Sequence, residues 1–331
     1  MRGPIDNVNC IRGFVTRSVA CVLLSSLGAA VCGEPQDKTG TASREAYPSS
    51  TTILVHSDLV QIPVTVLDGS GRVVPGLEKE HFTLFEDKVQ QVITHFAAED
   101  APASIGLVFD TSDSMGPRMN RAHEAVEALL KSANPADEFF LVQFSSHAIL
   151  AAGMTNHAEE ISRRVAMTQV GGSTALLDAV ALAMDEMKNA QYRRKAIIII
   201  SDGDDNSSRC SVSELKKTVR EGDVLIYAIG ITDDFDYSLN RPGVKLTGAA
   251  LLNEIATQTG GRLFEVRKLK QLPDIAAKIS GWLRNQYVLG YASENRQRDG
   301  QYRHVQVKLT RPKGFPRLHA FWRLGYYAPA E

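Results

Sequence analysis

The sequence predicts an α/β fold, a doubly wound and mostly parallel sheet covered by helices on both faces and flanked in sequence by shorter β-strand segments. Three observations predict it. Between residues 101 and 286, continuous apolar runs such as IGLVF, AIIII and VLIYAIGI alternate with stretches whose apolar residues recur at helical spacing, as strands buried on both faces and joined by helices require. On either side of that region, apolar and polar residues alternate, the pattern of half-buried strands. The apolar run at 105–109 also ends abruptly in Asp110, Ser112 and Ser114, an oxygen-rich loop where open α/β sheets place their ligands.

Composition narrows the function classes. At 331 residues, 44% hydrophobic and 23% charged, the chain has ordinary globular composition and length for more than one domain. A formal net charge of −1, from 37 basic and 38 acidic residues, gives no electrostatic reason to expect a nucleic-acid partner. Residues 1–32 read as a secretory signal: Arg12 and Arg17 precede a short apolar stretch at 19–31 that ends in small residues. The stretch is too short and too diluted by Ser and Gly for a membrane span, so export is expected, with an uncleaved amino-terminal anchor as the alternative and the sole route to membrane association. Cys10, Cys21 and Cys32 fall within it, which leaves Cys210 alone in the mature chain and excludes an internal bridge or a zinc cluster.

In chain order, residues 33–52 turn to Pro, Ser, Thr, Gln and charge without periodicity, a flexible linker. Residues 53–100 form an amino-terminal β region: LVQIPVTVLD, a DGSGR turn, HFTLFED and QQVITHF, with Pro63 suggesting an edge strand. In the α/β region at 101–286, the strand at 105 is followed by a helix over 118–131, a strand at 138–144, an extended return through 148–154 and a helix at 158–167. GGSTALLDAV opens another helix, KAIIIISDG is a buried strand, and SVSEL is a capping box that starts a helix to 221. A strand at DVLIYAIGI, a polar insertion at 232–248, a helix at 249–259, a strand at 263–266 and a helix at 272–285 complete the unit. The insertion, with Asp233, Asp234, Asp236 and Tyr237, reads either as a partner-facing lid or as a solvated loop. Residues 287–331 return to alternation in YVLGY, YRHVQVKLT and HAFWRLGYY. We expect these strands to pack with the amino-terminal ones as a small sandwich, the α/β unit being inserted between them, with two independent sheets as the alternative.

Three loops at element ends concentrate oxygen ligands: Asp110, Ser112 and Ser114 on the first, Thr174 after Gly171 and Gly172 on the second, and Asp202 before Gly203 on the third. Hydroxyls and carboxylates without His or thiolate suit a hard cation, Mg²⁺, Mn²⁺ or Ca²⁺, and the glycines let the backbone approach it. Each residue also has a local explanation, with Ser112, Ser114 or Thr174 capping the helix that follows and Asp202 serving a turn. Asp113, Asp204 and Asp205 read as solvated loop charges. The His residues are scattered, and no H-E-x-x-H, G-x-S-x-G or phosphate-loop motif is present.

DTSDSM, the later GGST and SDG together resemble the metal-ion-dependent adhesion site of von Willebrand factor type A domains, and the likeness spans roughly residues 103–286. The flanking segments are similar to a bacterial von Willebrand factor A-related subgroup. The resemblance implies a Rossmann-like fold and a bound divalent ion. It implies direct ligation by Ser112 and Ser114, contact through water by Asp110 and Asp202, and a switching role for Thr174.

The function expected is a binding module that captures a carboxylate of a protein partner through the ion. The alternative is a metal-assisted phosphohydrolase or phosphoacceptor with Asp110 as nucleophile. Against it, such phosphatases carry a second carboxylate where Ser112 stands, and such acceptors a Lys where Asp202 stands. A purely structural ion that never meets a partner is the third possibility.

Overall fold

A computed structural model of the chain describes residues 59–99, 101–231 and 248–330. The expected signal segment, the linker, the first residues of the amino-terminal β region and the insertion at 232–247 lie outside the described residues.

The described chain opens with β1 (Leu59–Leu67), β2 (Phe82–Glu86), β3 (Val89–Gln91) and β4 (His95–Glu99). The α/β body then runs through β5 (Ala103–Asp110), α1 (Met119–Ser132), β6 (Glu138–Phe144), β7 (Ala148–Thr155), α2 (Ala158–Ala166), α3 (Leu176–Glu186) and β8 (Arg194–Ser201). It continues through α4 (Val212–Glu221), β9 (Leu225–Ile231), α5 (Gly248–Thr259), β10 (Leu263–Val266) and α6 (Leu272–Arg284). The chain closes with β11 (Gln286–Ala292), β12 (Tyr302–Leu309), β13 (His319–Trp322) and β14 (Gly325–Tyr327).

The body is one six-stranded sheet in the order β10-β9-β8-β5-β6-β7, parallel throughout except for the antiparallel pair β6–β7. Its strands read as unbroken apolar runs because successive side chains enter two different cores. On β8, Ile198 and Ile200 pack with α1 and α6, whereas Ile197 and Ile199 pack with α3, α4 and α5. The expected capping box is present on α4, where the Ser211 hydroxyl accepts from the Glu214 amide and the Glu214 carboxylate accepts from the Ser211 amide. Among the described residues, no helix is long and apolar enough to cross a membrane.

The flanking strands form two four-stranded antiparallel sheets, β13-β1-β11-β4 and β14-β12-β2-β3, each drawing strands from both sides of the α/β body. They share a core of Ile62, Val64, Leu84, Tyr287, Leu289 and Val307 among others. At the rim of that core the buried carboxylate of Glu86 on β2 accepts three hydroxyls, from Tyr291 at 2.7 Å, Tyr326 at 2.8 Å and Ser293 at 2.5 Å.

Two details differ from the sequence reading. β1 is an interior strand, contrary to the edge position that Pro63 suggests. The proline is tolerated because β13 pairs only with 64–67, so on that side no ladder bond is asked of its missing N–H. The runs QQVITHF and HAFWRLGYY are each two strands in different sheets, broken at the exposed Val92 and Leu324. Alternation reports which face a residue takes and is silent on which sheet it joins.

Candidate metal centre

The central strand β5 lies between β8 and β6, so the ends of all three deliver their loops to one place. Asp110, the last residue of β5, is fully buried. Its Oδ1 accepts from the Ser112 amide at 2.9 Å and the Ser112 hydroxyl at 2.6 Å, and its Oδ2 accepts from the Ser201 hydroxyl at 2.5 Å. Ser201 ends the adjacent strand β8, and the Gly203 amide donates to its oxygen at 2.9 Å. Burial pushes the Asp110 carboxyl up to about 6; the hydrogen bonds from Ser112 and Ser201 resist that rise, and the nearby charge of Asp202 adds to it.

The second loop is stitched to the first through its backbone: the Gly171 amide donates to the Thr111 carbonyl at 2.8 Å, and the Asp113 amide donates to the Gly172 carbonyl at 3.0 Å. Thr174 is buried, its amide donating to the Asn206 side chain at 2.9 Å and its carbonyl accepting from the amides of Asn206 and Ser207. Gly172 and Gly203 adopt φ of 92° and 93°, a conformation that L side chains rarely reach, whereas Gly171 is not at positive φ.

Of the local explanations, the turn role of Asp202 is present, its Oδ1 accepting from the Asp204 amide at 3.4 Å, but the helix caps are not. Ser112 precedes a short 3-10 turn, 113–118, that its hydroxyl does not cap. Ala175, rather than Thr174, is the cap residue of α3, whose first amides are met by Ser208 at 3.0 Å and Asp205 at 3.3 Å. Asp205 is therefore half-buried and structural, which corrects its reading as a solvated loop charge. The Ser112 and Ser114 hydroxyls are left facing each other at 3.2 Å.

Two contacts were not legible in the sequence. Arg118, at the end of the 3-10 turn, places Nη1 2.8 Å from Asp202 Oδ2 and 3.1 Å from the Ser114 carbonyl. Both side chains are largely buried, 17% and 8% exposed. Ser201 could have been noticed only as a hydroxyl at the end of an apolar strand. Its partner depends on β5 and β8 being neighbours, which the sequence does not state.

The donor set fits a hard cation. Among the described residues no group of three His, Cys, Asp or Glu side chains could hold a metal, so an ion at these loops would rest on hydroxyls together with Asp110 and Asp202. Adjacent ligands of an octahedral Mg²⁺ at about 2.1 Å lie about 3 Å apart, close to the separation of the Ser112 and Ser114 oxygens. The desolvated Asp110 beneath them has only neutral donors on its oxygens, so a cation above it would offset its burial.

Comparison with known proteins follows the same segment. Residues 104–278 match the sequence model of the von Willebrand factor type A domain. The chain is similar to inter-alpha-trypsin inhibitor heavy chain H4 of Bos taurus, 25% identical over 223 residues that cover 60% of this chain and 23% of that one. It is similar also to an uncharacterised protein of Borreliella burgdorferi, 25% identical over 186 residues that cover 50% of this chain and 54% of that one. Among solved structures it resembles a von Willebrand factor type A protein from Catenulispora acidiphila, with a TM-score of 0.47 and 13% identity over 83% of this chain and 75% of that one. It also resembles BatB from Bacteroides thetaiotaomicron, with a TM-score of 0.43 and 18% identity over 54% of this chain and 98% of that one.

Proposed function

Since the chain belongs to the von Willebrand factor type A domain family, we propose that it is an exported protein-binding module whose loops hold a divalent cation and use it to capture a carboxylate of a protein partner. Ser112 and Ser114 would ligate the ion directly, with Asp110, Asp202 and Thr174 completing its surroundings, and Mg²⁺, Mn²⁺ or Ca²⁺ would serve. The observation that carries this reading is the facing pair of hydroxyls, 3.2 Å apart above a buried carboxylate and spent on no helix cap. Neutral ligands leave a dication under-neutralised, so a bound ion would attract a further anionic oxygen. Export rests on the charged and then apolar opening of the sequence.

The geometry gives the phosphoryl-transfer alternative less support. A nucleophilic Asp110 must reach phosphorus, whereas this side chain is fully buried and both its oxygens accept hydrogen bonds. Titration calorimetry with Mg²⁺ tests the proposal: the wild type should bind and Asp110→Ala should not, and equal affinity in the two would remove these loops from the account. Pull-down from an envelope extract, with and without chelator, tests the partner. A protein retained only with metal and lost with Ser112→Ala supports capture through the ion, and retention that ignores chelator argues against it.

A further inference from the structure

We propose that Arg118 sets the affinity of the cation site by seating its guanidinium on the Asp202 carboxylate and competing with a divalent ion for it. This rests on the reading of the three loops as a cation site. Arg118 ends the same 3-10 turn that carries Ser114, and its Nη1 joins the first loop to the third, 3.1 Å from the Ser114 carbonyl and 2.8 Å from Asp202 Oδ2. The pair is largely withdrawn from solvent, with the Asp202 side chain only 8% exposed, so screening by water is weak and the contact is a charge-assisted hydrogen bond.

Two electrostatic effects then act on an incoming ion. A carboxylate already matched to a guanidinium has less to offer a dication, and a fixed positive charge on the ligand loop opposes its entry. Asp110, the other carboxylate of the set, lies beneath the hydroxyls and is held by three donors, so Asp202 is the carboxylate for which the competition takes place. Resting affinity is therefore low. Any anionic group that draws the guanidinium off Asp202 raises affinity for the ion, and by linkage the ion raises affinity for that group by the same factor. Arginine suits this role because its planar fork can move from one carboxylate to another without losing charge.

The test is calorimetric titration of Mg²⁺ into the full chain as wild type, Arg118→Gln, Arg118→Lys, Asp202→Asn and the double variant Arg118→Gln/Asp202→Asn. Arg118→Gln should bind Mg²⁺ about tenfold more tightly than wild type, the scale of removing one partly buried charge-assisted pair. Arg118→Lys, which keeps the charge, should gain less than about threefold. The gain should be clearly smaller in the Asp202→Asn background, where only the repulsion by the fixed charge is left to relieve; a gain as large as in the wild-type background overturns the competition for Asp202. If Arg118 merely steadied the loop, Arg118→Gln would bind more weakly; weaker or unchanged binding beside a wild type that does bind overturns the proposal and leaves the cation site standing. No Mg²⁺ binding by any of the five proteins overturns both.

Discussion

Replacing Asp110 by Asn should abolish the cation site and yet stabilise the metal-free protein at neutral pH. Unfolded, the carboxyl titrates near 3.9, about the value of a free side chain; folded, burial moves it to about 6. Between those values the folded state keeps a proton that the unfolded state has released. Stability from this group is therefore complete below about pH 4 and is lost as pH rises through 6. Two units correspond to about 3 kcal/mol of strain on the ionised, metal-free protein. An Asn at 110 carries no charge and so avoids that cost, but the Ser201 hydroxyl must turn from donor to acceptor, which takes back about 1 kcal/mol. The balance is a gain of about 2 kcal/mol at pH 7.5 that disappears by pH 4. Urea unfolding in chelator at pH 4.0, 5.0, 6.0 and 7.5 measures it directly, and added Mg²⁺ should then raise the wild type but not the variant. An Asp110→Asn protein that is less stable at pH 7.5, or a difference that does not change with pH, would refute the reasoning.

Three further outcomes follow from named contacts. Tyr291→Phe removes one of three hydroxyls on the buried Glu86 and should cost about 1.5–3 kcal/mol in urea unfolding, since the acceptor is charged; a cost below 0.5 would mean that water fills the gap. Gly172→Ala forces a Cβ to 2.6 Å from the Ser146 hydroxyl at a φ of 92°, so it should lose about 1–2 kcal/mol and weaken Mg²⁺ binding, as thermal melts and titration would read. His123 stacks on Phe109 with its Nε2 buried and unpaired, and burial holds its pKa below the usual value. The unfolded chain takes up that proton first, so stability is full above about pH 6.5 and falls as the solution is acidified. His123→Leu in the Asp110→Asn background should flatten the fall between pH 6.5 and 5; an unchanged slope would place the acid sensitivity elsewhere.

Much of the body was legible because helical and strand periods are written residue by residue: β10 begins and ends where the sequence places it, and the Ser211 capping box forms as spelled. The candidate set was proposed from spacing, since Asp110, Ser112 and Ser114 alternate on one loop, and the structure brings that loop beside those of Thr174 and Asp202. What the sequence could not supply is lateral neighbourhood. Ser201 touches Asp110 only because β8 lies beside β5, and Arg118 meets Asp202 across 84 positions. The position of Pro63 failed for the same reason: the residue reports a missing donor, and only the sheet order reveals that β13 stops short of it. Asp205 was misread because its partners, the α3 amide of Leu177 and Ser208, are set by a loop with no periodicity.

The α/β body enters and leaves the sandwich through β4 and β11, which are hydrogen-bonded neighbours, Glu99 opposite Gln286. Mechanically this makes the body a side branch. Tension applied at residues 59 and 330 passes through the ladders of β1, β13, β12 and β14, and the two stems stay zipped while those ladders hold. A pull entering at the loops is instead shared by two adjacent stems that must shear together. In single-molecule stretching from the chain ends, the sandwich should yield before any length is released from 103–284, so the loops keep their geometry under a load borne elsewhere.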